Sequence, residues 1–156
     1  CNRALGAAHG EYVIRLDADD SFDPTLLEEL RGSMERKAAD FVSCDRRELN
    51  LKTGEVCEIR IDPFNLFRLI AIGTLMRRDL ILKVGGWRNL FLEEYDLYLR
   101  YLSRSAHPPV HTPKVLFPYT IRPGSMSSDS VRTKEGWREL SRIWPQHVLE
   151  KRGAPA

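Results

Sequence analysis

Hydrophobic and polar positions alternate in blocks along this chain, and the blocks predict its elements in order. Cys1 to Gly10 reads as the tail of a helix closed by Gly10. Tyr12, Val13, Ile14 and Leu16 then form an apolar run that stops at Asp17-Ala18-Asp19-Asp20. Such a run, bounded by turn residues, predicts a strand covered on both faces. Asp23 and Pro24 suit a helix start, and Leu26, Leu27, Leu30 and Met34 recur at helical spacing. Ala39–Cys44 predicts a second strand, so this stretch reads as a strand–helix–strand unit with a parallel pair. Polar and apolar residues alternate from Glu48 to Ile61 around Gly54, which predicts a hairpin standing off the main sheet. Asp62-Pro63 opens a short apolar helix to Ile70, residues 73–78 a strand, and Asp79–Val84 a helical turn ended by Gly85-Gly86-Trp87. Leu92, Tyr95, Leu99 and Leu102 make one stripe of a helix over 91–102. Val115–Tyr119 reads as the last strand, Ile121–Ser130 as a loop, and 131–150 as a basic amphipathic helix with Trp137, Leu140, Trp144 and Val148 on one side.

Composition narrows the function without naming it. The 156 residues suffice for one hydrophobic core, and 42% hydrophobic with 29% charged residues is ordinary for a globular chain. A net charge of +2 argues against nucleic acid as the partner. Cys1, Cys44 and Cys57 lack metal-ligand spacing, which favours reduced thiols and a cytoplasmic setting. No apolar run reaches the length of a membrane span. The opening residues lack an initiator Met and read as the middle of a larger fold, an expectation of a longer natural polypeptide.

The chemistry concentrates in acids. Three carboxylates directly after a buried strand are costly unless something cationic is bound, and in open α/β sheets ligands bind beyond the carboxyl ends of strands. A calcium loop would use Asp17, Asp19, Ser21, Asp23 and Glu28, but Phe22 stands where Gly is needed and a strand precedes it. An aspartyl phosphatase of the haloacid-dehalogenase type is a second reading, with Ser43, Lys83 and the Glu93/Glu94 pair in the remaining roles. Glu93 and Glu94 also suit a helix first turn simply because the dipole favours them. His107 and His111 flank Pro108-Pro109 without a third ligand and read as surface residues. Arg100 is expected to pair with an acid on its own helix, and Trp87 to be core or an acceptor-pocket wall.

A third reading rests on a resemblance. Asn2, Ala7-Ala8, Gly10-Glu-Tyr-Val and Leu16-Asp17-Ala-Asp19-Asp20, with Pro24 and a Leu-rich helix, look like the central part of family 2 glycosyltransferases. Leu75-Met-Arg-Arg-Asp-Leu followed by Val84-Gly-Gly-Trp87 is similar to the family's segment before the acceptor site. Glu93-Glu94-Tyr-Asp96-Leu and Arg100 resemble its Glu-Asp-x-Asp-Leu-x-x-Arg helix start, and Tyr119, Arg122, Ser125 and Ser127 its loop after the last strand.

This resemblance implies a partial GT-A (Rossmann-like) α/β fold: a mostly parallel sheet flanked by helices, a small β-hairpin excursion and a C-terminal helix. Residues 1–130 would be an incomplete transferase domain and 131–156 a basic helix and tail. Asp17 and Asp19 match the D-x-D positions and would hold Mg²⁺ or Mn²⁺ and the nucleotide-diphosphate sugar donor, with Arg122 reaching the diphosphate. Asp20 would order the loop. The family's base is an Asp at the position of Glu94, so Glu94, Glu93 or Asp96 would take the proton from a sugar or lipid-linked acceptor in an inverting transfer. The strands and helices that carry the family's base- and ribose-binding residues would precede Cys1. If the 156 residues were the whole polypeptide, its nucleotide pocket would be incomplete and it would transfer little or no sugar. A truncated remnant that binds metal or a partner without turnover is the non-enzymatic alternative. The terminal helix, with Arg132, Lys134, Arg138, Arg142, Lys151 and Arg152, is a candidate for peripheral contact with an anionic membrane face through residues 131–152.

Overall fold

The computed structural model describes residues 1–125 and 129–154. In chain order it contains α1 (Asn2–Ala7), β1 (Tyr12–Val13), α2 (Leu26–Arg36), β2 (Phe41–Asn50) and β3 (Val56–Ile59). Two 3₁₀ turns follow, Leu66–Arg68 and Ala71–Gly73, then β4 (Thr74–Arg77), α3 (Arg78–Lys83), α4 (Glu93–Leu102), β5 (Val110–Ile121), α5 (Ser130–Ile143) and α6 (Gln146–Lys151).

The class is α/β, with one sheet flanked by helices, but the sheet is mixed rather than mostly parallel. β4 lies between β1 and β2 and runs antiparallel to both. β1 and β2 are therefore parallel to each other across an inserted strand instead of forming a direct parallel pair. β3 pairs antiparallel with β2, and only β5 pairs parallel, along β2 from Val42↔Val110 to Asn50↔Ile121. The β2–β5 register shifts between Cys44 and Arg46, beside Pro113. A proline breaks the ladder there, and β5 tolerates Pro113 and Pro118 because β2 is its one partner strand.

The expected hairpin is present, and its first arm is the continuation of the second strand: β2 runs from the core out to Asn50 and turns back at Gly54, whose φ of 73° suits glycine. β1 is shorter than the apolar run implied, because β4 offers it only two paired positions, Arg77 and Met76. Leu16 consequently lies exposed in the segment beyond the ladder instead of being covered. Nor does the stretch from Pro63 to Ile70 form a continuous helix. Asp62 accepts from the Phe64 amide in a turn, and 3₁₀ geometry follows.

Strand alternation divides the core between the two faces of the sheet. The neighbouring pair Phe41 and Met76 packs with Leu97, Tyr98 and Tyr101 of α4, whereas the next pair, Val42 and Leu75, packs with Leu26, Leu30 and Met34 of α2. Trp87, one of the two roles expected for it, is core: it is buried among the α4 residues. Asn2 holds its backbone, accepting from the Trp87 amide at 2.8 Å and donating to its carbonyl at 2.7 Å. The C-terminal helix breaks at Trp144-Pro145 into α5 and α6. Leu140 and Leu149 are buried in the α4 cluster, with Trp137, Trp144 and Val148 packed against it. Most of that apolar stripe is thus packed on the protein's own core. No described helix is long and apolar enough to cross a membrane.

Candidate functional site

Two segments far apart in sequence meet at the cleft. The first is the turn after β1, where the Asp20 amide donates to the Asp17 carbonyl at 3.1 Å and presents Asp17, Asp19 and Asp20. The second is the first turn of α4, which carries Glu93, Glu94 and Asp96 where the helix dipole favours negative charge. Arg15 joins them. Its guanidinium donates to Glu93 and Glu94 at 2.9 Å each and grips Asp17 with two bonds of 2.8 and 3.2 Å. Arg122, from the loop after β5, donates to Asp19 at 3.2 Å. These groups line a cleft of about 660 Å³ whose other walls are Phe91, Leu92, Tyr95, Tyr119 and Trp137.

Burial raises the Glu94 carboxyl to about 7, the nearby charges of Asp17, Glu93 and Asp20 adding to the effect and Arg15 opposing it. Asp20 is also raised, by burial and then by Asp19 and Asp17. A carboxyl poised near neutrality can exchange a proton with a bound hydroxyl. The Asp19 side chain is 68% exposed.

The structure brings Asp17, Asp19, Glu93, Glu94 and Arg122 to one cleft, as the motifs imply, but not Asp96. That carboxylate is fully buried and does not line the cleft. It accepts from Arg100 at 2.8 Å and from the Trp144 indole at 3.0 Å, and Arg88 lies 3.4 Å away. Arg100 in turn donates to the Val84 and Gly86 carbonyls, so the pair fastens the Gly85-Gly86 turn to α4. Asp96 is an anchor of the helix, and Arg100 pairs with an acid on its own helix as its spacing implied. Ser127, part of the loop motif, lies outside the described residues.

The phosphatase roles do not assemble. Ser43 is fully buried against His111, and Lys83 is exposed at the end of α3; neither lines the cleft. His107 and His111 serve separate carboxylates, Asp40 at 3.2 Å and Asp45 at 2.9 Å.

Arg15 is the residue that the sequence patterns passed over. The signal was a charged side chain inside an otherwise apolar run, two positions before the first aspartate.

Among the described residues no three His, Cys, Asp or Glu side chains converge on one point as a preformed metal cage. Asp17 and Asp19 nevertheless fit a hard divalent cation of the Mg²⁺ kind, which is commonly held by one or two carboxylates with substrate phosphates and water completing its shell.

Similarity to known proteins agrees with the fold. Residues 1–84 match the family described as Glycosyl transferase family 2. No curated protein matches the sequence. S. aureus TarS (residues 1–349) in complex with UDP-GlcNAc superposes with a TM-score of 0.68 at 18% identity, over 96% of this chain and 45% of that one. The TarS complex with UDP gives 0.61 at 17% identity, over 96% and 43%. The mannosyltransferase PcManGT from Pyrobaculum calidifontis, in complex with GDP-Man and Mn²⁺, gives 0.64 at 14% identity, over 97% and 45%. The chain thus spans less than half the length of these structures. Its fold is theirs, GT-A, and with more than half of its residues matched, the chain belongs to glycosyl transferase family 2.

Proposed function

We propose that the cleft is the transfer site of a nucleotide-sugar glycosyltransferase that inverts the anomeric centre. The observation that carries this reading is the convergence of Asp17 and Asp19 with Glu93 and Glu94 across one cleft, linked by Arg15. Asp17 and Asp19 would hold a divalent cation, which when bound neutralises the charge developing on the diphosphate leaving group. Arg122, already beside Asp19, adds a fixed positive charge on the same side. Glu94 accepts the proton of the acceptor hydroxyl as its oxygen forms the new bond to the anomeric carbon and the bond from that carbon to the diphosphate oxygen breaks. Its raised pKa suits the role, since a base near neutrality both holds and releases a proton at working pH. Glu93, held by the same Arg15 nitrogen, orients Glu94 by sharing that donor. The similar structures include complexes with UDP-GlcNAc and with GDP-Man, which supports a nucleotide-diphosphate sugar as donor.

The test is thermal stabilisation of the protein in its natural full length by UDP and by GDP, each with and without Mn²⁺. A Mn²⁺-dependent rise in Tm with one nucleotide, lost in Asp19→Ala, is expected. No rise with either nucleotide would reject donor binding, and an unchanged rise in the variant would remove Asp19 from the site.

A further inference from the structure

One wall of the cleft has a composition that the donor chemistry does not use. The cleft that holds the carboxylates is also lined by Phe91, Tyr95 and Trp137, and Trp137 comes from α5. The indole is braced from behind. The Phe67 ring meets it edge-on at 4.8 Å, and the Tyr95 ring lies 5.9 Å away with planes 20° apart. Tyr95 is itself fixed by its hydroxyl, which donates to the Phe67 carbonyl at 3.1 Å. Even so, Trp137 is half-buried, not enclosed, and lines the cleft.

The placement of α5 is equally specific. Gly136 lies so close to the start of α4 that a Cβ there would come within 2.8 Å of the Phe91 ring and 2.9 Å of the Leu92 side chain. This close approach sets Trp137 beside the residues that immediately precede Glu93 and Glu94. Asp129 caps α5, accepting from the Val131 and Arg132 amides at 3.1 Å, which fixes where the helix begins.

Resting on the transferase reading above, we propose that Trp137, flanked by Phe91, is the acceptor subsite, and that the acceptor presents a pyranose ring. An aromatic face matches the apolar C–H face of a pyranose, and carboxylates in the same cleft match the ring's hydroxyls. Trp137 lines the same cleft as Glu93 and Glu94, so a ring stacked on it lies in the cavity that holds the proposed base. α5 is therefore part of the cleft, and its Trp stripe has two uses: Leu140 and Trp144 hold the helix down, and Trp137 faces the ligand.

The test uses saturation-transfer NMR on the full-length protein, with methyl glycosides of glucose, galactose, mannose and N-acetylglucosamine as probes, with and without UDP or GDP. Saturation of ring C–H protons is expected for at least one probe, about tenfold weaker binding in Trp137→Ala, and recovery of most of it in Trp137→Phe. Melting curves identify any variant that fails to fold, and the Phe variant, which keeps a ring in place, then decides. No transfer to any pyranoside in the wild-type protein, or equal transfer in wild-type and both variants, overturns the proposal. Failure of the donor reading is separate: it shows as absent nucleotide stabilisation while saccharide transfer persists.

Discussion

Replacing Glu94 by Gln should stabilise the protein and abolish its chemistry, in a way that depends on pH. Gln keeps the size of the side chain and an oxygen for Arg15, which donates to Glu94 at 2.9 Å, but removes the ionisable proton. In the folded protein burial raises this carboxyl from 4.5 to about 7. Its proton is bound more tightly in the folded state, so the contribution to stability is fully present below about 4.5 and is lost as pH rises through about 7. The full linkage is roughly 3 kcal/mol at 1.36 kcal/mol per pH unit. With 24% of the side chain exposed, screening reduces this to about 1–2 kcal/mol. Glu94→Gln should therefore raise Tm by about 4 °C at pH 8.5, given roughly 2–4 °C per kcal/mol for a chain of this size. By pH 5 the gain should fall to about a quarter of that. Sugar transfer should meanwhile drop by about 10²–10⁴-fold, the usual contribution of a general base. The assay is a pair of melting curves at the two pH values with transfer measured at the higher one. A Tm gain that is the same at both pH values, or a loss of stability at pH 8.5, would refute the assigned electrostatics; retained turnover would refute the assigned role.

Three further outcomes follow from the same contacts. Arg15→Gln removes the positive charge that opposes the rise in Glu94, so the acidic limb of the pH–rate profile should move up by about one unit; an equal loss of rate at every pH would mean that Arg15 does not act on the ionisation of Glu94. Asp96→Ala leaves the buried Arg100 guanidinium without its carboxylate and should cost about 3–5 kcal/mol, seen as a denaturant midpoint far below wild type; a midpoint unchanged with transfer abolished would restore Asp96 as a base. Gly136→Ala gains about 1 kcal/mol in helix propensity but drives a methyl into Phe91 and Leu92, so it should destabilise by about 1–2 kcal/mol net in chemical denaturation, and a stabilised variant would show that α5 does not sit this close.

The parts of this site legible in the sequence are those set by local pattern. The 3.6-residue stripe placed α4, and the dipole preference placed Glu93 and Glu94 in its first turn. The end of an apolar run located Asp17 and Asp19. Pairing was less legible, because β4 enters between β1 and β2 from more than twenty residues beyond β2, and no periodicity within either strand announces which neighbour it takes. Pro113 hid the first part of β5, before the expected Val115–Tyr119, for a local reason: proline argues against a central strand, and β5 tolerates it because it pairs with β2 alone among the described strands. Trp87 and Trp137 show the same limit. The pattern leaves Trp87 as either core or pocket wall, and its burial in the core goes with backbone bonds to Asn2, 85 positions away, that no local pattern announces. Trp137 sits on a regular amphipathic stripe that suggests burial, yet it remains half-buried at the cleft.

Arg15 shows why the acids on either side of the cleft depend on each other. Asp17 and Glu94 belong to elements that share no strand pairing, and both are negative, so in the absence of a bridging charge they repel. One guanidinium between them, 22% exposed, holds Asp17 with two of its nitrogens and both glutamates with the third. A ligand that draws Asp17 toward itself therefore competes with Arg15 for that carboxylate. When Asp17 is drawn away, the guanidinium retains only Glu93 and Glu94 as partners, which strengthens its hold on their ionised forms. On the proposed reading, engagement of Asp17 by a ligand would therefore be coupled to the ionisation of Glu94 through the single side chain of Arg15.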